Sequence, residues 1–204
     1  MDELELLKKD WQKGVDNFPH VSREDIYKMS HSKSSSIVKW IYYISIIEFS
    51  VGLILILLNP KIDGQVEFPQ WIEYISLATF PVLAWFIFQF YKNYRSITAN
   101  DSVRKLMKSI IKTRRTVKHY VLFNLVVAGI FSCIGLYLGF VDIAGGHEEF
   151  TATASLADYA KLSVVILLVT AGIIALIYGI YYLLYGILLK RLNRNYKELK
   201  KLEV

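Results

Sequence analysis

Glu48 stands inside an apolar stretch that runs from Ile37 to Leu58. A carboxylate in such surroundings is costly unless it is protonated or turned towards a bundle interior, which makes it the first candidate for chemistry in this chain. Ser45, Ser50, Asn124, Ser132, Tyr178 and Tyr181 lie at similar depth in their own apolar runs, Thr170 lies nearer the far side, and no Lys or Arg lies at mid-depth. Three uses fit an intramembrane acid without a cationic partner: proton or ion translocation, a contact to a separate membrane subunit, or a hydrogen bond between helices of this chain. Tyr178, Tyr181, Tyr182 and Tyr185 crowd the inner half of the last apolar run, and Tyr42 and Tyr43 lie at about the same depth in the first. Some belong to an interfacial aromatic belt, and others could line a polar pocket with Glu48.

Other reactive groups are sparse. Cys133 is the single cysteine and sits in an apolar run, so neither an intramolecular disulfide nor a cysteine metal site is expected. His147, Glu148 and Glu149 follow two glycines, but adjacent loop side chains rarely converge on one ion, and His20, His31 and His119 fall on the other side of the bilayer in the topology below. No phosphate loop, HExxH, GxSxG or CxxC is present, and no two halves resemble each other as transporter repeats do. The expectation is no catalytic residue set, no metal and no cofactor.

The elements that position Glu48 are read from apolar runs. The chain has 204 residues, is 54% apolar and has a mean hydropathy of +0.35, with the apolar residues bunched. That pattern takes a bilayer as its solvent. Four runs are long enough to cross as helices: 37–58, 71–91, 120–141 and 162–189. The first ends at Asn59-Pro60, the second contains Pro81, where a kink or break is expected, and the fourth is long enough to tilt or protrude. Barrel strands would instead alternate over about ten residues, and no such alternation appears. The fold class is therefore all-α, a four-helix transmembrane bundle.

Orientation follows from Lys and Arg. The N-terminal segment through Lys39 carries seven, the outer connections 59–70 and 142–161 one each, the connection 92–119 nine, and the tail from Lys190 six, so 22 of the 24 share one side. That side is assigned to the cytoplasm, with both termini there. The outer connections are acidic, with Asp63, Glu67, Asp142, Glu148, Glu149 and Asp158. The net charge of +6 thus has an explanation without nucleic acid. No signal peptide is visible in the polar first 36 residues, so targeting is expected to come from the first span.

Outside the spans, residues 1–36 read as two short helices. Asp2 to Lys13 presents Leu4, Leu7 and Trp11 on one face, and Ser22 with Asp25 forms an approximate capping box that opens the second. Ser30 to Ser36 weaken helix at the membrane surface and read as a solvated juxtamembrane segment or a hinge. In 92–119, Asn100-Asp101-Ser102 offers a cap to an amphipathic helix. Val103, Leu106, Met107, Ile110 and Ile111 form its apolar stripe, and Arg104, Lys105, Lys108, Lys112 and Arg115 lie off that stripe. One helix is expected from about Ser102 to the end of the third span. Its basic face could attract anionic membrane lipid, dock an acidic protein, or only set topology. Leu192, Tyr196, Leu199 and Leu202 should pack the tail 190–204 on that helix. Gly172, Gly179 and Gly186 repeat at seven and Gly135 and Gly139 form GxxxG, so these faces could pack on each other or build a homo-oligomer.

The runs at residues 2–13, from Asp2-Glu3-Leu4 to Lys8-Lys9-Asp10-Trp11-Gln12-Lys13, at 22–29, Ser22-Arg23-Glu24-Asp25-Ile26-Tyr27-Lys28-Met29, and at 34–41, ending in Val38-Lys39-Trp40-Ile41, resemble a family of small four-span inner-membrane proteins of Bacteroidota. The resemblance covers most of the chain and is strongest before residue 60. It implies a bacterial inner-membrane protein and no particular activity. Some members carry a label as β-carotene 15,15′-monooxygenase, which this chain does not fit. Carotenoid cleavage enzymes set four histidines on iron in a propeller, and the four histidines here are split between the two sides. The leading expectation is an interaction or regulatory subunit presenting cytoplasmic amphipathic helices to a membrane or cytoplasmic partner. The alternatives are a small transporter or channel using Glu48 and, third, a lipid-active membrane enzyme.

Overall fold

The computed structural model describes residues 22–58, 69–98 and 102–201, and all regular structure among them is helical. Helix α1 runs Arg23–Leu58, α2 Gln70–Thr98, α3 Val103–Ile143, α4 His147–Thr153, α5 Leu156–Tyr181 and α6 Ile187–Lys200. A π-helical turn, Tyr182–Gly186, joins α5 to α6 without a break. Four stretches are long and apolar enough to cross a membrane: α1, α2, α3 and the continuous Leu156–Lys200. The expected helix over Asp2–Lys13, the Asn59-Pro60 stop and most of the connection after it, the Asn100-Asp101 cap and Leu202 lie outside the described residues.

Local chemistry explains several boundaries. The box at the start of α1 forms: the Ser22 hydroxyl donates to Asp25 Oδ2 at 2.7 Å and accepts from the Asp25 N–H at 3.1 Å. The Ser22 hydroxyl and backbone hold the Asp25 carboxyl below the ordinary aspartate value. The same device, Ser155 with Asp158, opens α5, and Ser155 lowers the Asp158 carboxyl likewise. Gly145 and Gly146 take φ of 93° and 97°, values that suit residues without Cβ, and turn the chain from α3 into α4. Helix α3 is 41 residues long, about 60 Å, as the absence of Gly and Pro before Gly129 led us to expect. Pro81 does not end α2, which continues through it to Thr98. Proline removes one backbone bond, and a 29-residue helix packed against α1 and α3 retains the others.

The core lies at the basic end. Buried residues follow three- and four-residue steps on each helix: Ser30, Ser34, Val38, Ile41 and Ser45 on α1; Phe86, Phe90, Asn93 and Ile97 on α2; Leu106, Ile110, Thr113, Val117 and Tyr120 on α3. Tyr185, Leu192, Asn195 and Leu199 continue the set on the π turn and α6. That spacing is the seam of a left-handed bundle. Within the most apolar window of each crossing helix, by contrast, only 6–11% of residues are buried. A smaller cluster of Val141, Phe150 and Leu162 closes the far end, where α4 covers the turn between α3 and α5.

The serine-rich stretch of α1 is continuous helix, solvated at Ser32, Lys33 and Ser36 and packed inward on its other face. Ser30 and Ser34 are buried against neighbouring helices. Asn195 Nδ2 donates to Ser34 Oγ at 3.2 Å, the Ser35 and Thr98 hydroxyls lie 3.3 Å apart, and His31 Nε2 lies 2.9 Å from the Ile97 carbonyl oxygen. Asn93 Nδ2 to Thr116 Oγ1 at 3.1 Å, Ser96 with Ser109 at 3.0 Å, and Arg114 to Asn193 Oδ1 at 2.8 Å extend these links to α2, α3 and α6. Small polar side chains let the backbones approach closely and supply the cross-helix bonds that outweigh their weak helix propensity.

Candidate functional site

Glu48 occupies the last layer of that core. Its Oε2 accepts from Tyr120 Oη at 2.5 Å and from Tyr185 Oη at 3.2 Å. Tyr120 packs edge-on against Phe86, Phe90, Tyr181 and Tyr185, with ring centroids 5.4–6.3 Å apart. Tyr181 stacks on Tyr185 at 5.9 Å. The carboxylate is thus bonded across α1, α3 and the π turn within an aromatic cage contributed by four helical segments. A π turn inserts one residue into the helical register and often accompanies a functional site. Here it carries Tyr185 into the core.

Position along the bundle matters as much as the partners. Tyr120 comes two residues after Lys118, and Tyr185 five before Lys190. At 1.5 Å per residue the carboxylate sits about 3–8 Å of helix rise from the nearest basic positions. Glu48 is central in the 37–58 run, yet it is at the basic edge of the bundle's apolar part because α1 enters the core far upstream.

The structure brings together only part of the expected set. Tyr181 is in the cage, and Tyr178 is 55% exposed on the outer flank. Ser45 donates instead to the Tyr42 carbonyl at 2.7 Å, and Asn124 to the Tyr120 carbonyl at 2.9 Å. Ser132 and Thr170 pair with each other at 3.3 Å, with Cys133 Sγ 3.5 Å from the same threonine hydroxyl. Tyr120 was not singled out, because at the first position of a span it reads as a belt residue. The signal that reveals it is the three-and-four spacing from Leu106 through Val117, which runs straight into Tyr120.

A family model described as a domain of unknown function, DUF8845, matches residues 24–204. The chain belongs to the DUF8845 family. No curated protein and no solved structure matches it. The matched segment of this DUF8845 chain includes α1 from Glu24, all later helices, Glu48 and its tyrosines.

Most basic residues of α3 lie on the outside of the bundle, while Arg114 is half-buried against α6. Arg104, Lys105, Lys108, Lys112 and Arg115 are exposed, while Leu106, Met107, Ile110, Thr113 and Val117 are buried. The amphipathic stripe is therefore docked inside the chain, where α6 contributes Leu192 and Leu199. In this part of α3 the outward face is charged apart from Ile111, expected in the stripe, which is 45% exposed. Among the expected packing glycines, a Cβ on Gly135, Gly172 or Gly179 would meet nothing within 4 Å, and one on Gly186 would meet only its own Tyr182 ring. Close approach between α3 and α5 occurs at Gly129 instead, where a Cβ would lie 3.2 Å from Ile174 Cδ1.

Proposed function

We propose that this protein is a multi-pass membrane protein of the bacterial inner membrane that works as an interaction or regulatory subunit, holding a rigid helical head on the cytoplasmic face. The observation that carries this reading is where the core lies. The buried, cross-linked part of the chain is the basic end, and the apolar helices serve mainly as its anchor. The concentration of basic residues at that end supports a cytoplasmic head with both termini inside. Lys105 and Lys108 lie 15 and 12 residues before Tyr120, about 18–22 Å of helix rise away. That distance clears a headgroup layer of roughly 5–8 Å. These two exposed lysines would face a water-soluble acidic surface on a partner.

The test is extraction of the full chain into native nanodiscs, with mass spectrometry of what stays bound. A stoichiometric partner is expected, and the double substitution Lys105→Glu, Lys108→Glu should release it while leaving the fold intact. Retention of the same proteins by wild type and charge-reversed chains would reject the head as the docking surface.

One observation favours a second reading, a small transporter or channel. Glu48 is a carboxylate held by two tyrosine hydroxyls beside a π turn in a crossing helix. Under that reading Glu48→Gln abolishes proton or cation flux in proteoliposomes, and unchanged flux excludes Glu48 as the carrier site.

A further inference from the structure

Between α2 and α3, at the level where the apolar helices meet the basic end, lies a cleft of about 480 Å³. Its α3 wall carries Lys112, Arg115 and His119, spaced i, i+3, i+7 so that one face presents all three, and each is exposed. Its α2 wall carries Trp85 and Gln89. None of the three basic side chains has an ion-pair or hydrogen-bond partner among the described residues, and no acidic residue lines the cleft. The Thr116 hydroxyl, also in the wall, is already taken by Asn93 and the Lys112 carbonyl.

We infer that this cleft holds the phosphate headgroup of an anionic phospholipid. Charge and polarity are ordered along it in the way such a molecule requires. Trp85 marks the apolar end and is 54% exposed, with its ring edge-on to Phe86 at 5.0 Å. Tryptophan in that position sits at the boundary between acyl chain and headgroup. One turn further towards the basic end Gln89 adds amide donors, and the α3 wall carries Arg115, whose guanidinium can engage two phosphate oxygens at once. Lys112, a turn beyond, supplies a second positive charge at headgroup depth. Measured from Tyr120, Arg115 and Lys112 lie five and eight residues away, about 8 and 12 Å of rise, so Arg115 falls at the phosphate layer and the long Lys112 side chain can reach back to it. An acidic protein would find the cleft flanked by lipid at that depth, whereas Lys105 and Lys108 lie beyond it. The inference requires the helices to be in a bilayer and does not depend on a protein partner.

The experiment uses the full chain released in mild detergent and titrated with phosphatidylglycerol or phosphatidylcholine, read by native mass spectrometry. One phosphatidylglycerol per chain should be retained in preference to phosphatidylcholine. The double variant Lys112→Gln, Arg115→Gln should weaken that retention on the order of tenfold or more. The variant Lys105→Gln, Lys108→Gln, which removes the same charge from the same helix, should leave it unchanged. Both pairs alter exposed side chains, and an unchanged thermal midpoint in each keeps the comparison fair. Equal retention of the two lipids, or equal losses in the two variants, would overturn the site in favour of a general basic surface. Millimolar inorganic phosphate should fail to displace the lipid; displacement would overturn a lipid source and assign the cleft to a soluble phosphate.

Discussion

Glu48, Tyr120 and Tyr185 form a small polar unit within an otherwise apolar layer. The carboxylate oxygen that accepts both hydroxyls ties α1, α3 and the π turn at one point. The 2.5 Å contact with Tyr120 is at the short end of O–H···O distances, so most of the tie belongs to that pair. Tyr120→Phe keeps the ring that packs on Phe86 and Phe90 and removes only the donor. It should lower stability by about 1–3 kcal/mol, read as an earlier unfolding midpoint in a denaturing-detergent titration. Tyr185→Phe, at 3.2 Å, should cost less. An unchanged midpoint for Tyr120→Phe would mean that the bond does not hold the layer. At this scale the sequence was half legible. Glu48 is conspicuous because charge inside an apolar run has few bland explanations. Its strongest partner was hidden, since tyrosine at the start of a span is usual in interfacial belts.

At the scale of the helix, the amphipathic stripes were legible and their destination was not. The spacing of Leu106, Ile110 and Leu199 marks faces that must be buried, and it does not say whether a bilayer, another protein or this chain buries them. The structure buries them within the chain. Ser30 and Ser34 were misleading for the complementary reason: propensity describes a serine in an isolated helix, and here tertiary hydrogen bonds outweigh it. The glycines show the same limit. Heptad spacing on α5 suggests close packing, but Gly172 and Gly179 face open space and the tight position is Gly129. Gly129→Leu should therefore destabilise the chain by about 1–3 kcal/mol through overpacking against Ile174. Gly172→Ala should be neutral or stabilise it by up to about 1 kcal/mol through helix propensity. Thermal midpoints in detergent check both, and a large loss for Gly172→Ala would reveal a second chain packed on that face.

The whole molecule divides by solvent. Its apolar helices expose large side chains such as Ile47, Leu57, Phe88, Leu168 and Leu176 around their circumference, the pattern of helices that face hydrocarbon. Its basic end is packed inward and charged outward like a water-facing bundle. The four crossing helices were legible from run length alone, because the bilayer imposes a minimum of about twenty apolar residues on any helix that crosses it. The continuity of the head with the spans was legible only in α3, where no Gly or Pro interrupts. Everything proposed for the head depends on which side of the membrane it occupies. Cysteine labelling settles that most directly, in a chain whose own Cys133 is first replaced by alanine. With Lys105→Cys, a membrane-impermeant maleimide should leave intact spheroplasts unlabelled and label inverted vesicles, while Ser155→Cys should give the reverse. Labelling of Lys105→Cys in intact spheroplasts would place the head outside and contradict a cytoplasmic docking role.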